Sequence, residues 1–240
     1  MSDIPHAAPA QGDRPEFQIV PTFAVPLVIC HLPDPEPLNR ELKTLFASVE
    51  AQGDTYANPE PFVARNKELY ESNFTLFDWP QACVQKLREF CLRSLYRAIG
   101  ELNGYDTAML QRLHIATESW FHTARKGGYF GAHNHPLHSW SGVYCVQHDG
   151  DDPDTDSGKL TFINPLSMAT TYTDMAVANL KMPYSYAMRK DRLVPGQLVL
   201  FPSWLLHEVM PYDGDTQRIT VAFNARFKLA GAQPAQVPRP

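Results

Sequence analysis

With 240 residues, the chain is long enough for one large domain that buries a core without disulfides or structural metals. Its hydrophobic share of 44% and charged share of 20% belong to a folded protein and exclude wholesale disorder. The formal net charge is −5 and no cluster of Lys and Arg is interleaved with aromatics, which argues against a nucleic-acid surface and against attraction to an anionic membrane.

Residues 1–18 are rich in Ala, Pro, Gly and charge and read as a flexible tail. They lack the basic stretch and apolar core of a secretory signal. No apolar run is long enough to span a bilayer, and Cys30, Cys83, Cys91 and Cys145 are scattered without a C-x-x-C pair. Reduced thiols and a cytoplasmic location are therefore expected. A strand is predicted at Phe23 to Cys30. A helix is predicted from Pro37 to Val49, with Leu38, Leu42, Leu45 and Val49 at helical spacing and Asp34 as its cap. Residues 51–75 show no clear period. A second helix is predicted from Trp79 to Ile99, with Pro80 in its first turn and Val84, Leu87, Cys91, Leu95 and Ala98 on one stripe.

From Ile115 the period changes to two. Short apolar runs start near Ile115, Trp140, Lys159, Leu198, Leu205 and Arg218. Turn signals separate them at Lys126-Gly127-Gly128, His148 to Gly158, Pro195-Gly196 and Asp213-Gly214. Strands without intervening helices predict an all-β core with flanking helices. The form expected is a jelly-roll or cupin-like barrel, a double-stranded β-helix, with the N-terminal helices packed on its major sheet. The expected boundaries are 19–228 for this single domain and 229–240 for a flexible C-terminal tail.

The sharpest local feature is Gly131-Ala132-His133-Asn134-His135-Pro136. Alternate side chains of an extended segment share a face, so His133 and His135 are placed to meet one ion, with His207 as a distant third ligand. An H-x-H pair by itself also fits barrel-rim histidines that only make hydrogen bonds. The Asp213-Gly214 signal predicts a hairpin that returns the Arg218 strand beside the His207 strand. Arg218, Thr220, Ala222 and Asn224 then share one face, and Ile219, Val221, Phe223 and Ala225 the other. An inward Arg218 needs an anion, either a bound carboxylate or an internal partner at Glu118 or Glu208.

The ordered string runs His133-x-His135, Ser141-Gly142-Val143-Tyr144, Pro195-Gly196 through Phe201-Pro202-Ser203-Trp204 to His207-x-Val209-x-Pro211, and Arg218-Ile219-x-Val221-Ala222-Phe223-Asn224. It resembles the Fe(II)/2-oxoglutarate-dependent oxygenase superfamily, and within it a bacterial and phage branch related to prolyl hydroxylases. Val20 to Phe23 and Asn39 to Leu42 fit the same branch, so the resemblance covers most of residues 19–228. It implies a metal site with Fe(II) on His133 and His207, and 2-oxoglutarate and O2 as co-substrates. Arg218 and Thr220 would bind the distal carboxylate, and Tyr144 is either a further donor to the co-substrate or a core tyrosine. The implied outcome is hydroxylation of a small-molecule or peptidyl substrate. His135 stands where the superfamily usually carries Asp or Glu. A cupin-like three-histidine enzyme acting without 2-oxoglutarate is the alternative, and a non-catalytic binding module a third reading.

Among weaker signals, His138 is either an alternative ligand, an entrance residue or an exposed loop histidine. Trp120, Trp140 and Trp204 are either a substrate wall or core. The acidic run Asp149 to Asp156 reads as a solvated loop rather than a calcium site.

Overall fold

The computed structural model describes residues 18–167 and 172–230. The expected tails fall almost wholly outside that range, although Leu229 still closes the last strand opposite Leu113. Among the described residues, ten strands form two antiparallel sheets. The larger joins β1 (Val28–His31), β8 (Gln197–Pro202), β5 (Trp140–Gln147), β10 (Arg218–Leu229), β3 (Leu113–Ala124) and β2 (Leu69–Glu71), in that order. The smaller joins β4 (Phe130–His133), β9 (His207–Val209), β6 (Leu160–Phe162) and β7 (Arg189–Asp191).

Two helices cover the outer face of the larger sheet. Helix α1 (Glu36–Glu50) buries Asn39, Leu42, Phe46 and Val49, and α2 (Ala82–Asn103) buries the stripe from Cys83 to Ile99. Both start later or earlier than their cap signals suggest. Asp34 takes a positive φ of 46° and makes no cap, since Pro35 occupies the N-cap position. Pro80 precedes α2, whose N-cap is Gln81. A short α3 (Thr107–Gln111) is capped by Asp106, whose carboxylate accepts from the Met109 amide at 2.7 Å.

The alternation along β10 assigns its two faces. Ile219, Val221, Phe223 and Ala225 enter the core beneath the helices, where Phe46 stacks on Phe121 at 4.1 Å. A second core, with Cys145, Leu160, Phe162, Val199 and Phe201, lies between the two sheets. All four cysteines are free thiols, three of them buried. No helix among the described residues is long and apolar enough to cross a membrane.

The expected hairpin at Asp213-Gly214 does not form. β10 pairs with β3 and β5, while β9 pairs with β4 and β6, so His207 and Arg218 belong to different sheets. Eight successive buried residues make β10 a central strand that needs a long neighbour on each side, and three-residue β9 cannot supply one. The intervening segment is a crossover pinned by buried Tyr212. Its carbonyl accepts from Gly127 N at 2.6 Å, its amide donates to Gly128 O at 3.0 Å, and its hydroxyl donates to the Asp149 carbonyl.

Candidate metal centre

His133 and His207 are cross-strand partners at the end of the β4–β9 pair, which brings their rings to 4.2 Å between centroids. His135 lies two residues past His133 in the following loop. Its amide donates to Ser203 O at 2.9 Å, tying that loop to the end of β8. The ligand atoms of His133, His135 and His207 all lie within 4.8 Å of one another.

Two of the three rings have their second nitrogen committed. His133 Nδ1 lies 2.8 Å from Gly131 O, and His207 Nδ1 lies 2.8 Å from Leu205 O. A proton held on each Nδ1 leaves the Nε2 lone pair free, the tautomer that a metal needs. Burial lowers the pKa of all three. His135 falls to about 2, with the charges of His207 and His133 adding to burial, and His207 to about 3. The triad is thus neutral near pH 7. Three close, unprotonated imidazoles on one side of a cavity fit a divalent ion with open positions.

The same cavity reaches Arg218 and Thr220 on β10. Arg218 is only 2% exposed, and its Nε and Nη2 have no hydrogen-bond partner. Neither Glu118 nor Glu208 pairs with it; Glu118 instead faces His138 at 3.6 Å. A buried guanidinium with two idle donors costs several kcal/mol and fits an absent anion. Burial lowers its pKa. Gly158 packs on it, since a Cβ there would lie 2.8 Å from Arg218 Cδ, and its φ of +58° suits glycine.

Of the two readings of Tyr144, the structure has the core tyrosine and not the co-substrate donor. It faces the helices, fully buried, and its hydroxyl donates to Asn39 Oδ1 at 2.8 Å. On β5 the barrel-facing positions are the odd ones, Ser141, Val143 and Cys145. Ser141 Oγ donates to Asn224 Oδ1 at 2.8 Å, and so turns the Asn224 amide nitrogen away from that bond, at the edge of both cavities. His138 stands outside the triad and lines the outer cleft. Of the tryptophans, Trp120 lines the site, Trp140 packs against the helix-side core, and Trp204 is 54% exposed.

Two polar clusters were not anticipated. Glu71, on edge strand β2, is buried, accepts from Asn58 Nδ2 at 2.7 Å and from a close Arg65, and lies 3.0 Å from His122 Nε2. Burial opposes its ionisation, but these partners hold its pKa below the usual carboxylate value. The acidic loop is likewise not all solvated. Asp151 is buried against Arg192, at 2.7 Å from both guanidinium nitrogens, and lies 3.3 Å from His148 Nε2. Neither cluster had a readable signal: β2 and β7 are three residues each, too short for a period to emerge.

Residues 118–224 match the family model described as "Putative 2OG-Fe(II) oxygenase". The likeness of that segment is to the 2OG-Fe(II) oxygenase family. No curated protein matches the chain. Among solved structures, it resembles a prolyl-4-hydroxylase from Pseudomonas putida at 18% identity and a TM-score of 0.53, over 86% of this chain and 94% of that one. AviO1 from Streptomyces viridochromogenes aligns at 14% identity and a TM-score of 0.54, covering 90% and 94%. A Trichoplax adhaerens prolyl hydroxylase, solved with a peptide fragment of a hypoxia-inducible factor, aligns at 14% and a TM-score of 0.56, over 83% and 82%. At these identities the likeness is one of fold, the double-stranded β-helix of 2-oxoglutarate oxygenases. The family's Fe(II) and 2-oxoglutarate fit the histidine cluster and the orphaned guanidinium in chemical type.

Proposed function

We propose that the chain is a non-haem oxygenase that holds Fe(II) on His133, His135 and His207 and binds 2-oxoglutarate through Arg218. Its reaction would be hydroxylation of an unactivated C–H bond in a small-molecule or peptidyl substrate. The observation that carries this reading is the buried Arg218, with Nε and Nη2 unpaired, in one cavity with three neutral histidines. With Fe(II) and 2-oxoglutarate bound, dioxygen would be the oxidant: one of its atoms goes into succinate as 2-oxoglutarate loses carbon dioxide, and the other into the substrate C–H bond.

The protein's own residues do the rest. His133 and His207 keep their Nδ1 protons on backbone carbonyls and so present fixed lone pairs. Arg218 offers a planar fork suited to a carboxylate, and Thr220, two residues along the same face, adds a hydroxyl. Trp120, Phe130 and Phe201 wall the cavity and keep water from the reacting centre. His135 contributes no negative charge. Three neutral ligands, a divalent ion and dianionic 2-oxoglutarate sum to a neutral centre, which lowers the cost of closing it off from water.

The test is an anaerobic titration with Fe(II) and then 2-oxoglutarate, read by the weak visible charge-transfer band of the chelate. The parent protein is expected to develop the band, and Arg218→Ala to need at least about 100-fold more 2-oxoglutarate. Ferrous binding without the band, in the presence of saturating 2-oxoglutarate, would move the chain to the three-histidine enzymes that act without that co-substrate. His135 is what makes this the second reading, since such sites lack the carboxylate ligand.

A further inference from the structure

Outside the metal cavity, and sharing His133 and His135 with it, lies an open cleft of about 290 Å³. Its walls are aromatic: Phe62, Phe74, Trp120 and Phe130. Phe74 and Trp120 stand 4.8 Å apart, and Trp120 is 5.8 Å from the His135 ring, so the π surface runs unbroken from solvent to the triad. Phe62 is 92% exposed at the rim, an exposure with no structural benefit to the fold.

The charges in this cleft are one-sided. Two carboxylates, Glu71 and Glu118, line it, and none of its lining residues is Lys or Arg. Glu71 is matched by Arg65, Asn58 and His122. Glu118 is different: its side chain is 46% exposed, it sits on β3 opposite Asn224 and, among the described residues, it has His138 at 3.6 Å as its one charge partner. A negative group over aromatic faces attracts a cation and repels an anion. Neutral alcohols gain the apolar contact but neither the ion pair nor the attraction to ring faces.

We infer that the substrate of this site carries a protonated amine, received between Glu118 and the Phe74–Trp120 wall, with its carbon chain directed toward the histidine triad. This rests on the oxygenase reading above for the word substrate, and on the cleft alone for the choice of a cation.

The experiment is saturation-transfer NMR on the full chain before metal is added, with pentylammonium, pentanol and pentanoate as probes of equal length. Pentylammonium is expected to receive about fivefold more transfer than pentanol, while transfer to pentanoate reads the Arg218 cavity and not this cleft. Glu118→Gln, at a half-exposed position, is expected to abolish the preference, and Phe74→Leu to cut it about threefold while leaving pentanol unchanged. Equal transfer to amine and alcohol, or a preference that survives Glu118→Gln, would overturn the inference. Ferrous and 2-oxoglutarate binding measured on the same preparation separates the two ideas. If both bind and the amine preference is absent, the substrate class is wrong and the oxygenase stands. If the amine preference holds and no ferrous ion binds, the oxygenase reading fails and takes the amine's role as substrate with it.

Discussion

Arg218 combines a full charge with nearly complete burial, and such a residue weakens a fold unless something pairs with it. Replacing it with Met keeps the volume and removes the unpaired donors. Arg218→Met is therefore expected to leave the ligand-free protein as stable or about 1–3 kcal/mol more stable by urea denaturation. The same variant should lose the thermal stabilisation that 2-oxoglutarate gives the metal-loaded parent, about 2.7 kcal/mol at a hundredfold excess over Kd. A destabilised Arg218→Met would mean that the guanidinium holds the core together rather than waiting for a ligand. The neighbouring His148 has its pKa lowered to about 4 by burial and by the charges of Arg218 and Arg192. Below about pH 6.5 the unfolded chain takes up a proton that folded His148 refuses, so stability falls as pH drops from 6.5 toward 4, by at most about 1.4 kcal/mol per pH unit. His148→Gln should remove its share of that slope in the ligand-free protein and leave the share that His133, His135 and His207 contribute in the same way. The clustering of His133, His135 and His207 was legible because the H-x-H pair and the downstream histidine need only a strand and a return. Tyr144 kept two readings, because the family pattern names the position while the pleat decides its face, and the pleat turns it to the helices.

The strands and helices were read with uneven success, for physical reasons. Long elements announce their period: β10 and both helices were placed within a few residues, and the two faces of β10 were assigned correctly. Turn chemistry was less informative, since the Asp213-Gly214 signal marks a crossover under Tyr212 and not a hairpin. Residues 51–75 gave no period because the segment is built from short turns, and that is where Glu71 and Asn58 enter the site. Between β5 and β10 the sheet depends on a missing side chain. A Cβ at Gly142 would lie 2.4 Å from Phe223 Cε1 and 2.9 Å from Leu200 Cδ2. Gly142→Ala is expected to cost about 1–3 kcal/mol in chemical denaturation by pushing Phe223 off its packing. An unchanged midpoint would show that the ring can swing aside.

At the scale of the molecule, helices cover one sheet, a second core joins the sheets, and the reactive groups gather where that second core opens. Composition and strand order foretold the architecture. The distribution of the site between the sheets was not legible, because it follows from the crossover that replaced the expected hairpin. His133 and His207 belong to the smaller sheet and Arg218 to the larger. In the oxygenase proposed above, the span from metal to carboxylate anchor would thus be set by how closely two independently hydrogen-bonded layers are pressed together, and not by any one strand. A partly loosened state, with each layer intact and the gap widened, would still chelate a divalent ion but no longer hold a dicarboxylate against it. Under mild acid or urea, 2-oxoglutarate release should accordingly precede metal release, and the interval between the two transitions would measure the cohesion of the sandwich itself.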